Sequence, residues 1–515
     1  MMMYMRALGL AAAAVVWPGL LGLGAWAVEG EVLHQDLGNG DVLLVDDPQQ
    51  ALPRLIVQSS PRRFTRDAYM SAYRDVGLHV YGGADLVFRG IVQAADDDAC
   101  TVIGVRGQGS VLRFAGTWQS DGIYNFPHLL LLEGGRFVFT SEAVMDLVME
   151  RDYFTRQLWV YGDGSGVLEL ESGFVADHSI AAPVPRALGT IRLGGATLIT
   201  HHTRSLPSHT RPDGRGGTYQ NGHIVFERLA GNRWIVDTSN QVYRAQIDIA
   251  TDAIIETRAN LIHAGHRQQA LPLPAGVYFT SSGAFRTMDS GLVITKTGPA
   301  MLALDGEQSY HPDTELVIDE GLVRMSTDPG LGRAHAAAGP YLRIRLRASG
   351  RWHVGSAHAA LHEVRMEDRS QAWIDEGVQL HLDQPLAATA GTVLHVGGTI
   401  HQSVISAGRL HINSHRGASR ISADLTAGGL DVTVHHGAAS PMLRVDGHAR
   451  ISQDLAFRVS NHRRGLPASG LVLLEAEEIS GWPDGASRQL RCADDRVDVV
   501  VRRDGGRLLV EHDRP

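Results

Sequence analysis

Residues 291–325 place the strongest constraint on the fold, because they repeat one short pattern of apolar strand and glycine turn. Alternation puts every second side chain on one face of a strand, and the glycines between strands let the chain turn a corner. The pattern therefore predicts strand, turn, strand, turn, as in a β-solenoid that coils around a narrow core. Three apolar pairs carry it: Leu302 with Leu304, Leu316 with Ile318, and Val323 with Met325.

A glycine followed by an alternating apolar strand recurs elsewhere in the chain. Gly408 and Gly428 each begin such a segment and lie 20 positions apart, which is within the length of one solenoid coil. Gly134, Gly321 and Gly505 begin others. No strong helical period follows residue 27, so the sequence predicts a nearly all-β chain.

The order of residues within 291–325 also matches a known repeat. It resembles the passenger-associated, autotransporter-type β-strand repeat, although Pro299-Ala300 and Pro312-Asp313 depart from the pattern. The resemblance is close over about one repeat and implies a right-handed parallel β-helix in a single elongated body with end caps. It implies no catalytic residues, because the repeat is a scaffold. The matching positions are Ile294, Thr295, Lys296, Gly298, Leu302, Leu304, Gly306, Tyr310, Thr314 and Gly321.

The first 27 residues form a separate segment. Arg6 precedes an apolar run that ends in Ala25-Trp26-Ala27, ahead of the first acids at Glu29 and Glu31. This order predicts a secretory signal peptide with an A-x-A cleavage site, and an uncleaved membrane anchor is the alternative. We expect a bacterial protein that is secreted or at the cell surface, with the periplasm as the alternative, and without membrane contact after cleavage.

The charge balance argues against a nucleic-acid partner. The chain has 47 Lys and Arg against 56 Asp and Glu, a formal net charge of −9, whereas phosphate binding needs clustered cations. Lys296 is the only lysine. Aromatic residues make up 6% of a chain that contains 58 glycines, a composition that suits thin, stacked coils.

Five segments are expected along the chain. They are a signal peptide at 1–27, an N-terminal cap with the first coils at 28–90, a β-helix at 91–334 with a polar loop at 200–218, its continuation at 335–470, and closing strands at 471–515. Caps are expected at both ends because an end coil otherwise presents open strand edges.

The two cysteines are predicted not to pair within the chain. Cys100 and Cys492 are far apart in sequence. At roughly 20 to 30 residues and about 4.8 Å per coil, they would lie on the order of 60 to 95 Å apart, whereas a disulfide needs about 7 Å or less between Cα atoms. We expect two free thiols, or one that pairs between chains.

Histidine is the most distinctive functional group, with 25 in the chain. His395, His401, His411 and His415 lie on or beside predicted strands, and in register they could stack into a ladder able to bind a metal. Solvent-facing polar positions are the alternative. The spacing of known metal sites is missing, so we expect no metal and no cofactor.

Residues 200–218 are the longest polar break among the predicted strands. Loops on a rigid scaffold often carry function, so this break is the candidate binding rim, with an ordinary solvated loop as the alternative. Its side chains can hydrogen-bond a hydroxyl-rich or anionic ligand, which makes extracellular polysaccharide or cell-surface glycan the expected partner. The candidate residues are His201, His202, Arg204, His209, Arg211 and Asp213.

No motif fixes a reaction. Ser165 lacks the flanking glycines of a nucleophile elbow, so an Asp-Gly turn explains residues 162–166 better, and the acids at 96–98 have no acid-rich partner segment. We expect a structural or adhesin-like surface protein without catalysis. The alternative is a carbohydrate-active β-helix enzyme, a polysaccharide lyase or glycoside hydrolase, which would need two acids, or an acid with Arg or Lys, beside exposed aromatics such as Trp159 or Trp234.

Overall fold

A computed structural model of the chain shows an all-β protein. Within the described residues no helix is long and apolar enough to span a membrane. The signal segment, Asp96 to Asp98, His415 and both cysteines lie outside these residues. The structure describes residues 28–29, 32–33, 42–47, 52–57, 78–80, 85–88, 91–94, 102–120, 128–147, 157–171, 190–201, 210–212, 218–220, 223–237, 241–243, 246–259, 261–263, 284–327, 341–412, 418–434, 440–452, 454–459, 470–483, 485, 487–491 and 498–512.

The strands fall into two compact units. Unit 1 comprises Met1–Ala259 and His266–Gly283, and unit 2 comprises Asn260–Gly265 and Ala284–Pro515. The strands of unit 1 are β1 (Val28–Glu29), β2 (Val32–Leu33), β3 (Val42–Asp47), β4 (Leu52–Val57), β5 (Leu78–Val80), β6 (Asp85–Phe88), β7 (Ile91–Ala94), β8 (Val102–Arg106), β9 (Val111–Phe114), β10 (Thr117–Ser120), β11 (His128–Glu133), β12 (Arg136–Phe139), β13 (Val144–Leu147), β14 (Gln157–Leu170), β15 (Thr190–Thr200), β16 (Thr210–Pro212), β17 (Thr218–Gln220), β18 (His223–Phe226), β19 (Asn232–Val236), β20 (Gln241–Tyr243), β21 (Gln246–Ile249) and β22 (Ala253–Thr257).

Most strands of unit 1 stack in three parallel columns. Column 1A contains β6, β9, β12, the second halves of β14 and β15, β19 and β22. Column 1B contains β5, β8, β11, the first halves of β14 and β15, β18 and β21. Column 1C contains β4, β7, β10 and β13. Successive coils each add one strand to a column, which is the architecture of a parallel β-helix.

Unit 2 is built from shorter strands. They are β23 (Leu261–His263), β24 (Ala284–Thr287), β25 (Val293–Thr297), β26 (Met301–Leu304), β27 (Glu307–Ser309), β28 (Glu315–Ile318), β29 (Leu322–Met325), β30 (Arg343–Leu346), β31 (Arg351–Val354), β32 (His358–Leu361), β33 (Glu363–Met366), β34 (Gln371–Ile374), β35 (Gln379–Leu382), β36 (Leu386–Ala388), β37 (Val393–Val396), β38 (Thr399–His401), β39 (Val404–Ile412), β40 (Ser419–Ile421), β41 (Leu425–Val434), β42 (Leu443–Val445), β43 (His448–Ile451), β44 (Leu455–Val459), β45 (Leu471–Glu475), β46 (Glu478–Ser480), β47 (Ser487–Arg491), β48 (Asp498–Asp504) and β49 (Arg507–His512).

Unit 2 also stacks its strands in three parallel columns. Column 2A contains β23, β26, β29, β31, β34, β37, the second halves of β39 and β41, and β44. Column 2B contains β25, β28, β30, β33, β36, the first halves of β39 and β41, β43 and β46. Column 2C contains β32, β35, β38, β40, β42 and β45. The predicted all-β, parallel β-helix is confirmed, whereas its right-handed sense and single elongated body stay predictions.

Antiparallel strands stand at the first and last described coils. In unit 1, β1, β2 and β3 pair antiparallel with β6, β5 and β4, the first strands of the three columns. In unit 2, β49 pairs antiparallel with β45, and β48 and β47 extend the same sheet. These strands cover edges that would otherwise be open for pairing with another chain.

The core of unit 2 is a narrow stack of inward side chains. Along column 2A the register aligns Val323, Trp352, Ala372, Leu394 and Leu410, and all are at most 1% exposed. Full burial of one such aliphatic side chain contributes about 1.5 to 3 kcal/mol. The large Trp352 side chain lies next to the small Ala372 on the neighbouring coil, so the small side chain leaves room in the core for the large one.

The three apolar pairs of residues 291–325 behave as predicted. All six side chains, on β26, β28 and β29, are at most 1% exposed. Polar side chains of the same stretch are buried with them. The Nζ of Lys296 donates to the carbonyl oxygens of Thr297, Gly298 and Glu320 at 2.9, 2.7 and 2.8 Å. The lone lysine therefore ties together the backbone of two successive coils.

Gly408 and Gly428 occupy equivalent corners of adjacent coils, as their spacing predicts. β39 and β41 are long strands whose first halves lie in column 2B and whose second halves lie in column 2A. Each of the two glycines lies at the corner between these halves. A Cβ on Gly428 would lie 2.1 Å from the carbonyl oxygen of Ala407, and one on Gly408 would lie 2.5 Å from that of Thr392. Glycine is required here because the backbone of the preceding coil leaves no room for a side chain.

Candidate functional site

Most of the predicted binding rim lies outside the described residues. His202, Arg204, His209 and Asp213 are not described, and Arg211 is described only as backbone of β16, which pairs antiparallel with β17. His201 is the exception, since it directly follows β15 and its backbone N–H donates to the carbonyl oxygen of Leu170.

His201 has protein partners on both sides of its ring. Its Nε2 lies 2.8 Å from Oε1 of Glu169, and its Nδ1 lies 3.7 Å from Oδ2 of Asp237. The Glu169 side chain is 9% exposed, so the histidine contacts a nearly buried carboxylate of the wall. The described contacts of His201 thus tie it to column 1A, and its role in a binding rim stays a prediction.

The partners of His201 belong to a strip of ion pairs on the outer face of unit 1. Burial acts to raise the pKa of Glu256, but hydrogen bonds from Arg258 and Arg233 outweigh it and lower that pKa. Carboxylates and guanidinium groups alternate in sign, so the strip is close to neutral. Its members are Arg136, Glu169, Arg233, Asp237, Glu256 and Arg258.

A more distinctive arrangement lies on the outer face of column 2A. The strand register aligns Trp373, His395, His411 and Asp431 on four successive coils. Their flanking residues in each strand are buried, so alternation sends these four side chains outward. We call this surface, with its adjoining polar groups, the outer ladder: Trp373, His395, Arg409, His411, Asp431, Thr433 and Asp454.

The rings of the outer ladder stack along the column. The ring centroids of Trp373 and His395 are 4.8 Å apart with an interplanar angle of 9°, and those of His395 and His411 are 4.7 Å apart at 50°. Nε2 of His411 lies 2.9 Å from Oγ1 of Thr433 on the next coil. The Trp373 and His395 rings lie face to face, whereas the His411 ring is tilted against that of His395.

The central imidazole is held neutral. Burial, assisted by the neighbouring His411, lowers the pKa of His395 to about 4, and Asp431 acts in the opposite direction. At neutral pH the ring therefore carries one N–H donor and one nitrogen acceptor. This pair of functions suits hydroxyl groups, which both donate and accept hydrogen bonds.

Arg409 links the carboxylates of the outer ladder. Its Nε and Nη2 donate to Oδ1 of Asp431, and its Nη1 donates to Oδ2 of Asp454 on the following coil. The hydrogen bonds to Asp431, followed by the attraction of both carboxylates, raise the pKa of Arg409. The guanidinium is therefore engaged on both sides, with 33% of its side chain exposed.

A second imidazole stack lies on column 2C. The rings of His381 and His401 are 4.1 Å apart and tilted by 4°, and Nε2 of His401 lies 2.7 Å from Oε1 of Gln379. Burial lowers the pKa of His401, with further contributions from His381 and Arg420. The predicted four-histidine ladder is therefore divided, because His395 and His411 meet on one column while His401 lies on another.

The described residues hold no cluster of three or more His, Cys, Asp or Glu placed to bind a metal. Trp159 and Trp234, the two aromatics named from the sequence as candidates for sugar contact, both pack within the strands of unit 1. Trp234 is fully buried and donates its Nε1–H to Oγ1 of Thr200, and the guanidinium of Arg192 lies 5.5 Å above the ring of Trp159. The Trp234 ring is therefore closed to a sugar, and the guanidinium of Arg192 covers one face of the Trp159 ring.

Trp373, Arg409 and Asp431 were not predicted from the sequence as site residues. A usable signal was present, because Trp373, His395 and His411 are 22 and 16 positions apart, close to the coil length indicated by Gly408 and Gly428. Planar side chains separated by one coil are candidates for stacking in a β-helix. Because the two spacings differ, the sequence alone does not show that these three residues are aligned; the strand pairing does.

Comparison of the chain with protein-family models, with curated proteins and with solved structures gives no match.

Proposed function

We propose that the protein is an exported, non-enzymatic β-helix scaffold whose outer ladder binds an extracellular polysaccharide or a cell-surface glycan. The observation that carries the proposal is the aligned row of Trp373, His395, His411 and Asp431 on successive coils. Neighbouring strands are about 4.8 Å apart, so the row offers hydrogen-bonding groups at regular intervals along the column. A long polymer can contact several of these groups at once.

Export is supported by the N-terminal segment. A basic residue, an apolar run and Ala25-Trp26-Ala27 follow the order of a secretory signal. The resemblance of residues 291–325 to passenger-associated repeats supports a surface location and an adhesin-like or structural role. In either role, adhesin-like or structural, the scaffold presents a binding surface and needs no catalytic residues.

Binding to a glycan array tests the proposal. The double variant Trp373→Ala with His411→Ala removes both end rings of the stack and leaves the central His395, and we expect at least a tenfold loss of affinity for the preferred polysaccharide. The double variant His381→Ala with His401→Ala is the matched control, because it removes a similar stack from column 2C. Equal binding by the parent and the Trp373 and His411 variant would remove the outer ladder from consideration.

One observation favours a carbohydrate-active enzyme as the second candidate. Arg409, Asp431 and Asp454 bring a cation and two acids together on the column that also carries the partly exposed Trp373, which is the combination of groups such an enzyme needs. A reducing-end assay on each polysaccharide that binds separates the two functions. Sugar release that is abolished by Asp431→Asn would overturn the non-enzymatic proposal.

A further inference from the structure

We infer that the polysaccharide bound by the outer ladder is uncharged, and this inference rests on the proposed function. An anionic polymer needs guanidinium or ammonium groups with donors to spare. A neutral polymer needs mixed donors and acceptors without excess charge. The charges on column 2A distinguish these two ligand classes.

Arg409 has little to offer an anion. Three of its five N–H groups donate to carboxylate oxygens of Asp431 and Asp454, which lie on the next two coils, so the two remaining N–H groups lie beside two negative charges. A sulfate or uronate group that approached Arg409 would be repelled by the carboxylates of Asp431 and Asp454, which would lie about as close to it as the guanidinium. Displacing either acid would leave a carboxylate without its partner, which costs free energy.

Two further basic side chains of the face, Arg324 and His353, contact acids. Arg324 donates to Oδ2 of Asp305 at 2.8 Å, and Nε2 of His353 lies 2.7 Å from Oδ1 of Asp375. Arg351 is exposed on β31. Over the described residues of this face, the arginines do not outnumber the carboxylates, so no cationic track follows the column.

The stacked rings complete the neutral character of the surface. His395 and His411 lie on the outward face of the column, and Thr433 adds a hydroxyl group on the next coil. The depressed pKa of His395 keeps its ring uncharged at neutral pH. Hydroxyl groups of a neutral sugar chain can both donate to and accept from such a row.

The test compares each of several neutral polysaccharides, namely β-glucan, mannan, galactan and dextran, with its own carboxymethylated derivative in low and high salt. We expect a neutral polymer to bind at least tenfold more tightly than its derivative, with little change on adding salt. Tighter binding of a carboxymethylated polymer through the outer ladder, weakened by salt, would overturn the inference and leave the proposed function standing. If neither class binds, the proposed function fails and the inference with it.

Asp454→Asn supplies a matched variant. Asp454 is exposed and contacts Arg409 from two coils further along the column, so its replacement frees one donor of the guanidinium with little risk to folding. We expect the carboxymethylated polymer to gain affinity several-fold in this variant, while the neutral polymer changes less. The control Asp446→Asn frees Arg420 on column 2C and is expected to leave both affinities at the parental values.

Discussion

Two regions of unit 2 use polar side chains in opposite ways. In residues 291–327 several long polar side chains point inward: Lys296 and Tyr310 are at most 4% exposed, and they donate hydrogen bonds to backbone carbonyls and to Gln308 respectively. In the coils from 371 to 434 the long polar side chains His395 and His411 point outward, and the buried polar side chains are short, as at Thr392 and Ser406. The first region has the recognisable motif, and the second has the candidate binding surface.

The difference follows from the free energy of burial. A buried polar group must be hydrogen-bonded or it destabilises the fold, so the inward region accepts few residue types at each position. The outward region has no such requirement, because water can satisfy any polar group there. A motif that can be recognised in a single sequence therefore marks positions where burial restricts the residue type. A ligand site is more easily built at exposed positions, where the fold accepts many residue types.

The largest expected effect comes from charging the inward region. Leu316→Asp places a carboxylate at a fully buried position between coils, where desolvation costs several kcal/mol. We expect unit 2 to lose its cooperative thermal transition. Thr295→Asp, on the outward face of β25 beside β28, is the matched control and should change the midpoint little. A parental transition in Leu316→Asp would show that this strand does not face inward.

Removing the lone lysine should have the next largest effect. Lys296→Met keeps the aliphatic stem but leaves three carbonyl oxygens without their shared donor, and we expect a loss on the order of 3 kcal/mol in denaturant unfolding. Arg351→Met, which removes an exposed cation from β31, should cost less than about 0.5 kcal/mol. Equal losses in the two variants would mean that Lys296 is not an intercoil tie.

Much of the fold could be predicted because burial alternates along each strand. The pairs at Leu302 and Leu304, and the corners at Gly408 and Gly428, follow from strand periodicity and from the close approach of successive coils. Lys296 shows the limit of that reasoning. Its place in the repeat pattern was evident, but its role depends on Glu320 in the next coil, and local sequence does not reveal that contact.

The candidate site was harder to predict than the fold. Surface function in a β-helix depends on which residues share a column, and coil lengths vary because loops between columns differ. His395 and His401 are close in sequence yet lie on columns 2A and 2C, whereas Trp373 is more distant in sequence and stacks on His395. Strand pairing was therefore the missing information.

The outward region should show a smaller, pH-dependent effect. The pKa of His395 is lowered to about 4 from its ordinary 6.5, so its neutral form stabilises the fold fully above pH 6.5 and that stability is lost as the pH falls toward 4. We expect His395→Gln to flatten this part of the stability profile by about 2 kcal/mol, allowing for partial solvation of the ring. Unfolding midpoints between pH 4 and pH 8 provide the measurement.

The control for the pH profile is His381→Gln. His381 is exposed at the end of the other stack, on column 2C, so its replacement leaves His395 and its neighbours unchanged. This variant should keep the loss of stability between pH 6.5 and pH 4 that His395 causes. A His395→Gln profile that falls as steeply as that of the parent would show that His395 is not held neutral by the fold.

The smallest expected effect tests how Arg409 balances the outer ladder. Arg409→Gln removes the cation that binds Asp431, and a carboxylate relieved of its guanidinium exerts a stronger pull on a nearby proton. The pKa of His395 should rise by less than about one unit, because the carboxylate remains partly solvated. Nuclear magnetic resonance titration of histidine-labelled protein would record the shift, with Arg420→Gln on column 2C as the unshifted control. A fall in the pKa of His395 would mean that Asp431 turns away from the stack once Arg409 is gone, and the outer ladder would then depend on its ion pairs for its shape as well as for its neutrality.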